Sequence, residues 1–301
     1  MKKHSGLVGF FIRLVKEKPL GMVGAVITLL LLLTGIFADF LAPYGMNDPT
    51  GNFLAAPSAQ FWLGTDNVGR DILSRIIFGA RISMIVGLTA SALATFLSAV
   101  IGMLCGYIGG KFDLIVQRLV DAWMCFPGLI LLMVMLSLTG PGMWQVIVVL
   151  GLWNGIVGSR TIRGATMSVK ENVYIQAAQA IGCPTTRILT RHILPNVMGP
   201  VIMQFSLLMP GTILTEASLS FLGFGIPAPT PSWGGMLSGS GRSYMFLAPW
   251  MVIWPGLALS IVVYGVNMFG DAARDILDPR LRGGAGRYGV REPKKEAPER
   301  K

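Results

Sequence analysis

Long apolar segments separated by short polar ones run through most of this chain of 301 residues. An α-helix needs about 20 consecutive, mainly apolar residues to cross a bilayer. Six segments approach or exceed this length, and the fourth is short and interrupted by Asn154. The six predicted spans are Leu20–Ala38, Ser83–Tyr107, Leu119–Leu138, Trp144–Ser159, Val197–Leu222 and Leu247–Phe269. The pattern therefore predicts an all-α polytopic membrane protein with six transmembrane helices.

The charged residues orient these spans in the membrane. Only 13% of the residues are charged and 52% are hydrophobic, whereas a soluble domain carries about 25% charged residues. Of the 25 lysines and arginines, four fall in the segments opposite the termini: Arg70, Arg75, Arg81 and Arg242. Because cytoplasmic loops collect Lys and Arg, both termini are predicted to be cytoplasmic. This topology accounts for the net charge of +10 through contacts with anionic membrane lipid, without a nucleic-acid partner.

The spans and their orientation divide the chain into regions. These are an N-terminal cytoplasmic segment 1–19, a first transmembrane helix 20–38, an external segment 39–82, a five-helix core 83–270 with a cytoplasmic loop 160–196, and a cytoplasmic tail 271–301. In the external segment Thr65 or Asp66 can cap a turn, and an amphipathic helix is predicted from Asp71 onward. The tail is rich in Gly, Pro and charge, which predicts disorder after residue 282.

The cytoplasmic loop contains a polar interruption, YIQAAQAIGCPTTRILTRHILP, over Tyr174–Pro195. Its first part predicts a short helix with small residues at Ala177 and Ala178. Gly182 stands where a left-handed residue ends a helix, and Pro184 prevents its continuation. Thr185 can then cap a second short helix. A helix with a small-residue face between two spans is suited to docking into a groove on another protein.

The second span carries a stripe of small residues at intervals of four: Ala90, Ala94, Ser98, Gly102 and Gly106. In lipid such a stripe lets another helix backbone approach closely. It fits either a subunit interface or ordinary packing within the bundle, and the sequence leaves both open.

Motifs for enzyme chemistry are absent from the sequence. It contains no G-x-x-x-x-G-K-[ST] phosphate loop, and its only histidines are His4 and His192. No metal-ligand spacing or disulfide framework is present. We therefore expect no enzyme activity and no cofactor or metal bound by this chain.

Transport and anchoring remain as functions for a chain of this composition. Four polar residues inside the spans are candidates for lining a pathway: Asn154, Gln204, Ser206 and Asn267. An ion-coupled secondary transporter is one alternative, but it would need titratable groups within the membrane, and these are sparse here. A scaffold that only anchors cytoplasmic partners is a second alternative.

Several stretches, taken in order, resemble one family. Gly64, Asp66, Gly69, Arg70, Asp71 and Arg75 form a set similar to its external signature, and Gln176, Ala177, Ala178, Gly182, His192 and Pro195 match its cytoplasmic coupling motif. The family comprises the C-type inner-membrane permeases of ATP-binding-cassette importers, in the dipeptide, oligopeptide and nickel group. The chain departs from the motif at Gln176, where the family usually has Glu.

The resemblance implies a fold, a function and partners. The expected fold is that of a type I importer permease, in the inner or cell membrane of a bacterium or archaeon. Expected partners are a second related permease, two cytoplasmic ATPase subunits that bind ATP and Mg²⁺, and an external substrate-binding protein. The coupling residues would dock into one ATPase. Peptides are the expected substrates, with nickel chelates and glutathione-like peptides as alternatives.

Overall fold

The computed structural model describes residues 13–277 as an all-helical bundle. Its helices are α1 (Pro19–Ile36), α2 (Ala38–Leu41), α3 (Ile72–Ile108), α4 (Gly110–Met124), α5 (Gly128–Thr139), α6 (Met143–Lys170), α7 (Val173–Ala180), α8 (Thr185–Arg187), α9 (Leu194–Phe221), α10 (Trp233–Leu237), α11 (Ser240–Tyr244) and α12 (Trp250–Leu277), with a π-helical turn (Ile188–Ile193) between α8 and α9. Within the described part of the chain, β-pairing is limited to two isolated bridges. The predicted disordered tail after residue 282 lies outside the described residues.

Five helical segments are long and apolar enough to cross a membrane, and α4 with α5 makes a sixth if that bent pair is one span. This agrees with the predicted fold class, but the third span is not the straight helix expected over Leu119–Leu138. Helices α4 and α5 meet at 91°, and Pro127 lies at the break as the residue before α5. Proline lacks a backbone N–H and its ring clashes with the preceding turn, so it favours a break at this position.

Several predicted boundaries also move, with the largest changes at the second and fourth spans. The amphipathic helix and the second span form one helix, α3, of 37 residues. Asp71 caps its start by accepting a hydrogen bond from the backbone N–H of Ser74 at 2.8 Å. The fourth span, predicted to end at Ser159, continues as α6 to Lys170.

Close packing of α3 on α6 forms the centre of the bundle. A Cβ atom added at Gly102 would lie 2.6 Å from the carbonyl oxygen of Ser159, and one added at Gly106 would lie 2.7 Å from Cβ of Thr166. Ser98 donates a hydrogen bond to the carbonyl of Gly155 at 2.9 Å. The small-residue stripe of α3 is therefore an internal packing surface, which answers the question that the sequence left open.

Helix α9 packs against α3 in the opposite direction, and α12 packs against α1. Hydrogen bonds join Ser91 to Thr212 and Gln204 to Ser98 across the α3–α9 contact. Since α3 contacts α1, α6 and α9, it links the whole bundle. Its 37 residues span roughly 55 Å at 1.5 Å per residue, so the two ends of α3 are far apart.

Candidate functional site

The predicted docking helix is α7, and its end has the geometry that the sequence indicated. Gly182 has φ +75°, in the left-handed region. The N–H of Gly182 donates to the carbonyl of Gln179 at 3.0 Å, and the N–H of Cys183 donates to that of Ala178 at 3.0 Å. This pair of bonds is a Schellman motif, which ends the helix and fixes the direction of the following chain. Thr185 does not cap the second short helix as predicted. It is the first residue of α8, and Pro184 takes the capping position.

Helix α7 has one buried face and one exposed face. Ile175 is fully buried and Ala178 is 8% exposed, within a cluster that also contains Tyr107, Ile188 and Val197. On the opposite face Val173 is 80% exposed and Ile181 is 85% exposed, with Gln176 and Ala177 also exposed. The exposed apolar face consists of Val173, Tyr174, Ala177 and Ile181.

This arrangement changes which residues are available to a partner. Ala178, which the sequence analysis included in the coupling motif, faces the chain's own core, whereas the exposed residues Val173 and Ile181 were not among the predicted residues. The signal that could have identified them is the spacing of Val173, Ala177 and Ile181, each four residues apart and so on one helical face. Of the other coupling candidates, His192 is half-buried and Pro195 is exposed.

Three spans hold α7 in place. Gln179 donates a hydrogen bond from Nε2 to the Tyr107 hydroxyl at the end of α3, at 3.3 Å. Val169 of α6 packs against the buried cluster that contains Ile175 of α7. Val197 of α9 joins the same buried cluster as Ile175. A displacement of α7 therefore acts directly on α3, α6 and α9.

Ion pairs fix α4 to α6 next to this loop. Arg163 donates to both carboxylate oxygens of Asp113, from Nε at 2.6 Å and from Nη2 at 2.5 Å. One turn earlier on α6, Arg160 pairs with Asp121. Bidentate guanidinium–carboxylate contacts are shorter and stronger than single ones and fix orientation. The polar side of α4 is therefore held on α6 although its other side exposes Ile115 and Leu119.

We expect Arg163→Gln to loosen α4 while leaving the bundle folded. The substitution removes a bidentate ion pair of which both members are largely shielded, so amide hydrogen exchange in α4 should accelerate severalfold. Arg118→Gln is the matched control, because Arg118 is 75% exposed and exposed pairs contribute little. Hydrogen-exchange mass spectrometry measures both. Unchanged exchange of α4 in Arg163→Gln would show that apolar packing alone holds this helix.

The predicted external signature assembles at the other end of α3. We call this region the Asp66 cap: residues 42–71 packed against residues 223–250. Asp66 Oδ1 accepts hydrogen bonds from the N–H groups of Val68 and Arg70, at 2.8 and 2.9 Å. Its Oδ2 accepts from Nε of Arg70 at 2.7 Å and lies 3.8 Å from Nε of Arg75. Asp66 therefore forms the turn that was predicted and also neutralises part of the charge of two arginines.

Arg75 ties the cap to the end of the bundle. Its side chain is 7% exposed, and Nη1 lies within hydrogen-bond distance of three oxygens: Met46 O and Asn47 Oδ1 at 3.1 Å, and Pro229 O at 3.4 Å. Gly64 has φ +83°, and a Cβ there would lie 2.7 Å from the ring of Trp250. The signature residues thus serve the fold of the cap, and three of them, Asp66, Arg70 and Arg75, also border a cavity.

The cavity, which we call the Asp66 cavity, has a volume of about 290 Å³. It lies between the signature residues, the end of α9 and the loop that follows it. Charged lining groups are Asp66, Arg70 and Arg75, and the other walls include Ser220 and Thr230. No other charged side chain lines it, among the residues that the structure describes. The cavity therefore carries two guanidinium groups against one carboxylate.

A buried carboxyl group lies next to this cavity. Glu216 of α9 is fully buried, and its Oε1 accepts a hydrogen bond from the Ser220 hydroxyl at 2.7 Å. Oε2 has no hydrogen-bond partner within residues 13–277. The sequence analysis did not include Glu216 among the site residues. Its position in an otherwise apolar helix is the signal that could have singled it out.

Within the described residues, no hydrogen bond joins the four predicted pathway residues to one another. Gln204 is buried and donates from Nε2 to the Ser98 hydroxyl at 2.7 Å, so it joins α9 to α3. Ser206 is half-buried and donates to the carbonyl of Ile202 in its own helix at 3.2 Å. Asn154 is half-buried on α6, and Asn267 is exposed on α12. Their role in lining a pathway stays a prediction.

Comparison with known proteins gives two family matches. The model of the binding-protein-dependent transport system inner membrane component matches residues 98–283. The model of the N-terminal TM domain of oligopeptide transport permease C matches residues 9–57. Together they cover the loop of residues 160–196 and the first span.

Curated relatives match most of the chain. A dipeptide transport system permease protein DppC from Alkalihalophilus pseudofirmus is 38% identical over 270 residues, which cover 89% of this chain and 88% of the relative. An oligopeptide transport system permease protein OppC from Bacillus subtilis is 37% identical over 270 residues, with the same coverage of each chain. A glutathione transport system permease protein GsiD from Escherichia coli O157:H7 is 36% identical over 279 residues, covering 91% and 90%.

Proposed function

This chain belongs to the family of inner membrane components of binding-protein-dependent transport systems, and from that premise we propose that it forms one half of the pathway of an ATP-driven importer. A second, related permease forms the other half. Two cytoplasmic ATPase subunits, which hold the ATP and Mg²⁺, drive the pair. An external substrate-binding protein delivers the substrate at the Asp66 cap.

The observation that carries this proposal is the exposed apolar face of α7. Large apolar side chains at 80% and 85% exposure, on a helix that is itself firmly packed, are typical of a surface that binds another protein. The face lies at the end of α3 opposite the Asp66 cap, in a loop that the distribution of Lys and Arg predicts to be cytoplasmic. An ATPase groove is the partner that an importer permease requires on that side.

Energy reaches the spans through the contacts that hold α7. We expect ATP binding to close the ATPase pair and move α7. Because Tyr107 and Ile175 join α7 to α3, α6 and α9, those helices tip together between inward-open and outward-open arrangements. Such a cycle requires that ATP and the loaded binding protein each bind one arrangement more tightly than the other.

The proposed substrates are di- and oligopeptides. Two of the relatives described above carry dipeptide and oligopeptide transport in their names, and a third carries glutathione, itself a peptide. A nickel chelate remains the alternative within the same group of importers. Gln176 in place of the usual Glu removes a negative charge from the docking helix, so its contact with the ATPase is a hydrogen bond instead of an ion pair.

Purification of the tagged chain in mild detergent tests the proposal. We expect a second permease and ATPase subunits to co-purify, and proteoliposomes of the complex to take up peptide when supplied with ATP and the binding protein. An ion-coupled secondary transporter would instead purify as a single subunit. Its uptake would stop when the proton and sodium gradients are collapsed and would persist after ATP depletion.

A further inference from the structure

The Asp66 cavity has the features of a ligand site that the transport cycle above does not use. We propose that it binds the carboxylate group of a peptide as the substrate passes from the binding protein into the pathway. This inference rests on the proposed function, because it assumes that peptides arrive at the Asp66 cap. It assigns to the chain a substrate contact of its own, separate from those of the binding protein.

Charge is the first argument. Arg70 and Arg75 line the cavity with Asp66 as their only charged counterpart there, within the described part of the chain. The oxygens of Asp66 accept hydrogen bonds from Val68 and Arg70, and one of them lies 3.8 Å from Nε of Arg75. One positive charge is therefore left for a ligand, and guanidinium groups bind carboxylates through paired hydrogen bonds.

Free donors are the second argument. Arg70 bonds to Asp66 through Nε, which leaves both of its Nη atoms without a hydrogen bond among residues 13–277. Arg75 uses Nη1 on the three oxygens described above, and its Nη2 likewise has no hydrogen bond in this range. Hydroxyl groups of Thr230 and Ser240 on the remaining walls add neutral donors and acceptors.

Size and position are the third argument. A volume of about 290 Å³ is close to the lower end of the range for small-molecule pockets, about 300–1,000 Å³, and suits a dipeptide or the end of a longer peptide. Ser220 belongs both to the cavity wall and to the hydrogen bond with Glu216 in α9. A ligand in the cavity therefore contacts a spanning helix as well as the cap.

The test places a competing carboxylate inside the cavity. Thr230 makes no side-chain hydrogen bond to another residue of the described range and lines the same cavity as the arginines, so Thr230→Glu disturbs no existing bond and adds a carboxylate to the cavity wall. Thr230→Gln is the matched control with the same shape and no charge. Both variants are purified with their co-purifying subunits and without the binding protein. Binding of dialanine and of dialanine amide is measured by saturation-transfer NMR titration.

We expect dialanine to bind at least about tenfold more tightly than its amide to the natural protein. Thr230→Glu should weaken dialanine binding at least about tenfold, and Thr230→Gln should change it less than about threefold. Equal binding of the peptide and its amide, or equal effects of the two substitutions, would overturn the proposal. A third outcome would also overturn it: dialanine does not bind, and Thr230→Glu only reduces the stimulation of the ATPase by the binding protein. The cavity would then receive an acidic side chain of the binding protein instead of a peptide carboxylate.

Failure of this inference can be distinguished from failure of the proposed function. ATP-driven peptide uptake by the same preparation, with the binding protein restored, establishes the importer independently of the cavity. Arg81→Gln is a second control, since Arg81 pairs with Asp39 outside the cavity. Loss of dialanine binding in Arg81→Gln would also overturn the proposal, since it would show that binding follows the general charge of that end of the bundle.

Discussion

Replacing Ala177 with Asp is expected to abolish ATP-driven uptake while the chain remains folded and inserted. Ala177 lies on the exposed face of α7 between Val173 and Ile181, and no part of the described chain packs over it. A carboxylate at the centre of an apolar contact loses its hydration without gaining a partner. A cost of about 2 kcal/mol or more, roughly thirtyfold in affinity for the ATPase, is typical for the centre of an interface.

The neighbouring substitution Ala178→Asp separates docking from folding. Ala178 is 8% exposed and packs with Ile175 and Tyr107, so a carboxylate there is buried in the chain's own apolar cluster. This substitution should detach α7 from the spans, at a cost of several kcal/mol for an unpaired buried charge. Uptake is lost in both variants, but for different reasons.

Two measurements distinguish the reasons. Amide exchange in residues 173–193 should stay slow in Ala177→Asp and become fast in Ala178→Asp. Co-purification of the ATPase should fall in both. Ala177→Ser is the control for size and polarity and should retain uptake. Normal ATPase recovery with Ala177→Asp would show that the exposed face of α7 is not the docking surface.

Gly102→Val is expected to destabilise the whole bundle. A Cβ atom at this position lies 2.6 Å from the carbonyl oxygen of Ser159 and 2.8 Å from the backbone nitrogen of Arg163. Backbone atoms cannot rotate away as a side chain can, so α3 and α6 must separate. Overpacking costs typically 1–3 kcal/mol even where side chains adjust, and separation of the two central helices adds to that.

Gly164→Val is the matched control on α6. Gly164 is helical and exposed, and an added Cβ meets no atom within 4 Å. Both substitutions change helix propensity equally, so the difference between them isolates the close approach of the helices. Thermal unfolding in detergent should show a clearly lower Tm for Gly102→Val and little change for Gly164→Val. Equal midpoints would mean that α3 and α6 are not in close contact.

Much of the fold could be predicted from the sequence, because the length of an apolar segment and the spacing of its apolar residues are local properties. The spans, the cap of α3 at Asp71, the turn at Asp66 and the left-handed end of α7 at Gly182 each depend on a few adjacent residues. The break between α4 and α5 also has a local cause, Pro127, but prolines are tolerated inside other helices of this chain, as Pro210 and Pro255 show. Whether a proline bends or breaks a helix depends on what packs against it.

The candidate sites divide in the same way. The proposed docking stretch and the residues of the signature were identified from the sequence, because short motifs carry them. The orientation of α7 was not, since the rotation that buries Ala178 and exposes Val173 and Ile181 depends on Tyr107 and Val197, which are distant in sequence. The Asp66 cavity was not foreseen either, because its walls come from three separate parts of the chain.

The sequence by itself determined that this chain is a helical membrane protein and where most of its helices lie, and it predicted which loop faces a partner. Those properties follow from side-chain polarity and from the hydrogen-bonding needs of single residues. The tertiary structure alone decided that the small-residue stripe of α3 packs on α6, that Gln204 joins helices instead of standing free, and that two arginines share one carboxylate in a cavity. Each of these depends on contacts between residues that are far apart in the chain, and local sequence patterns do not specify such contacts.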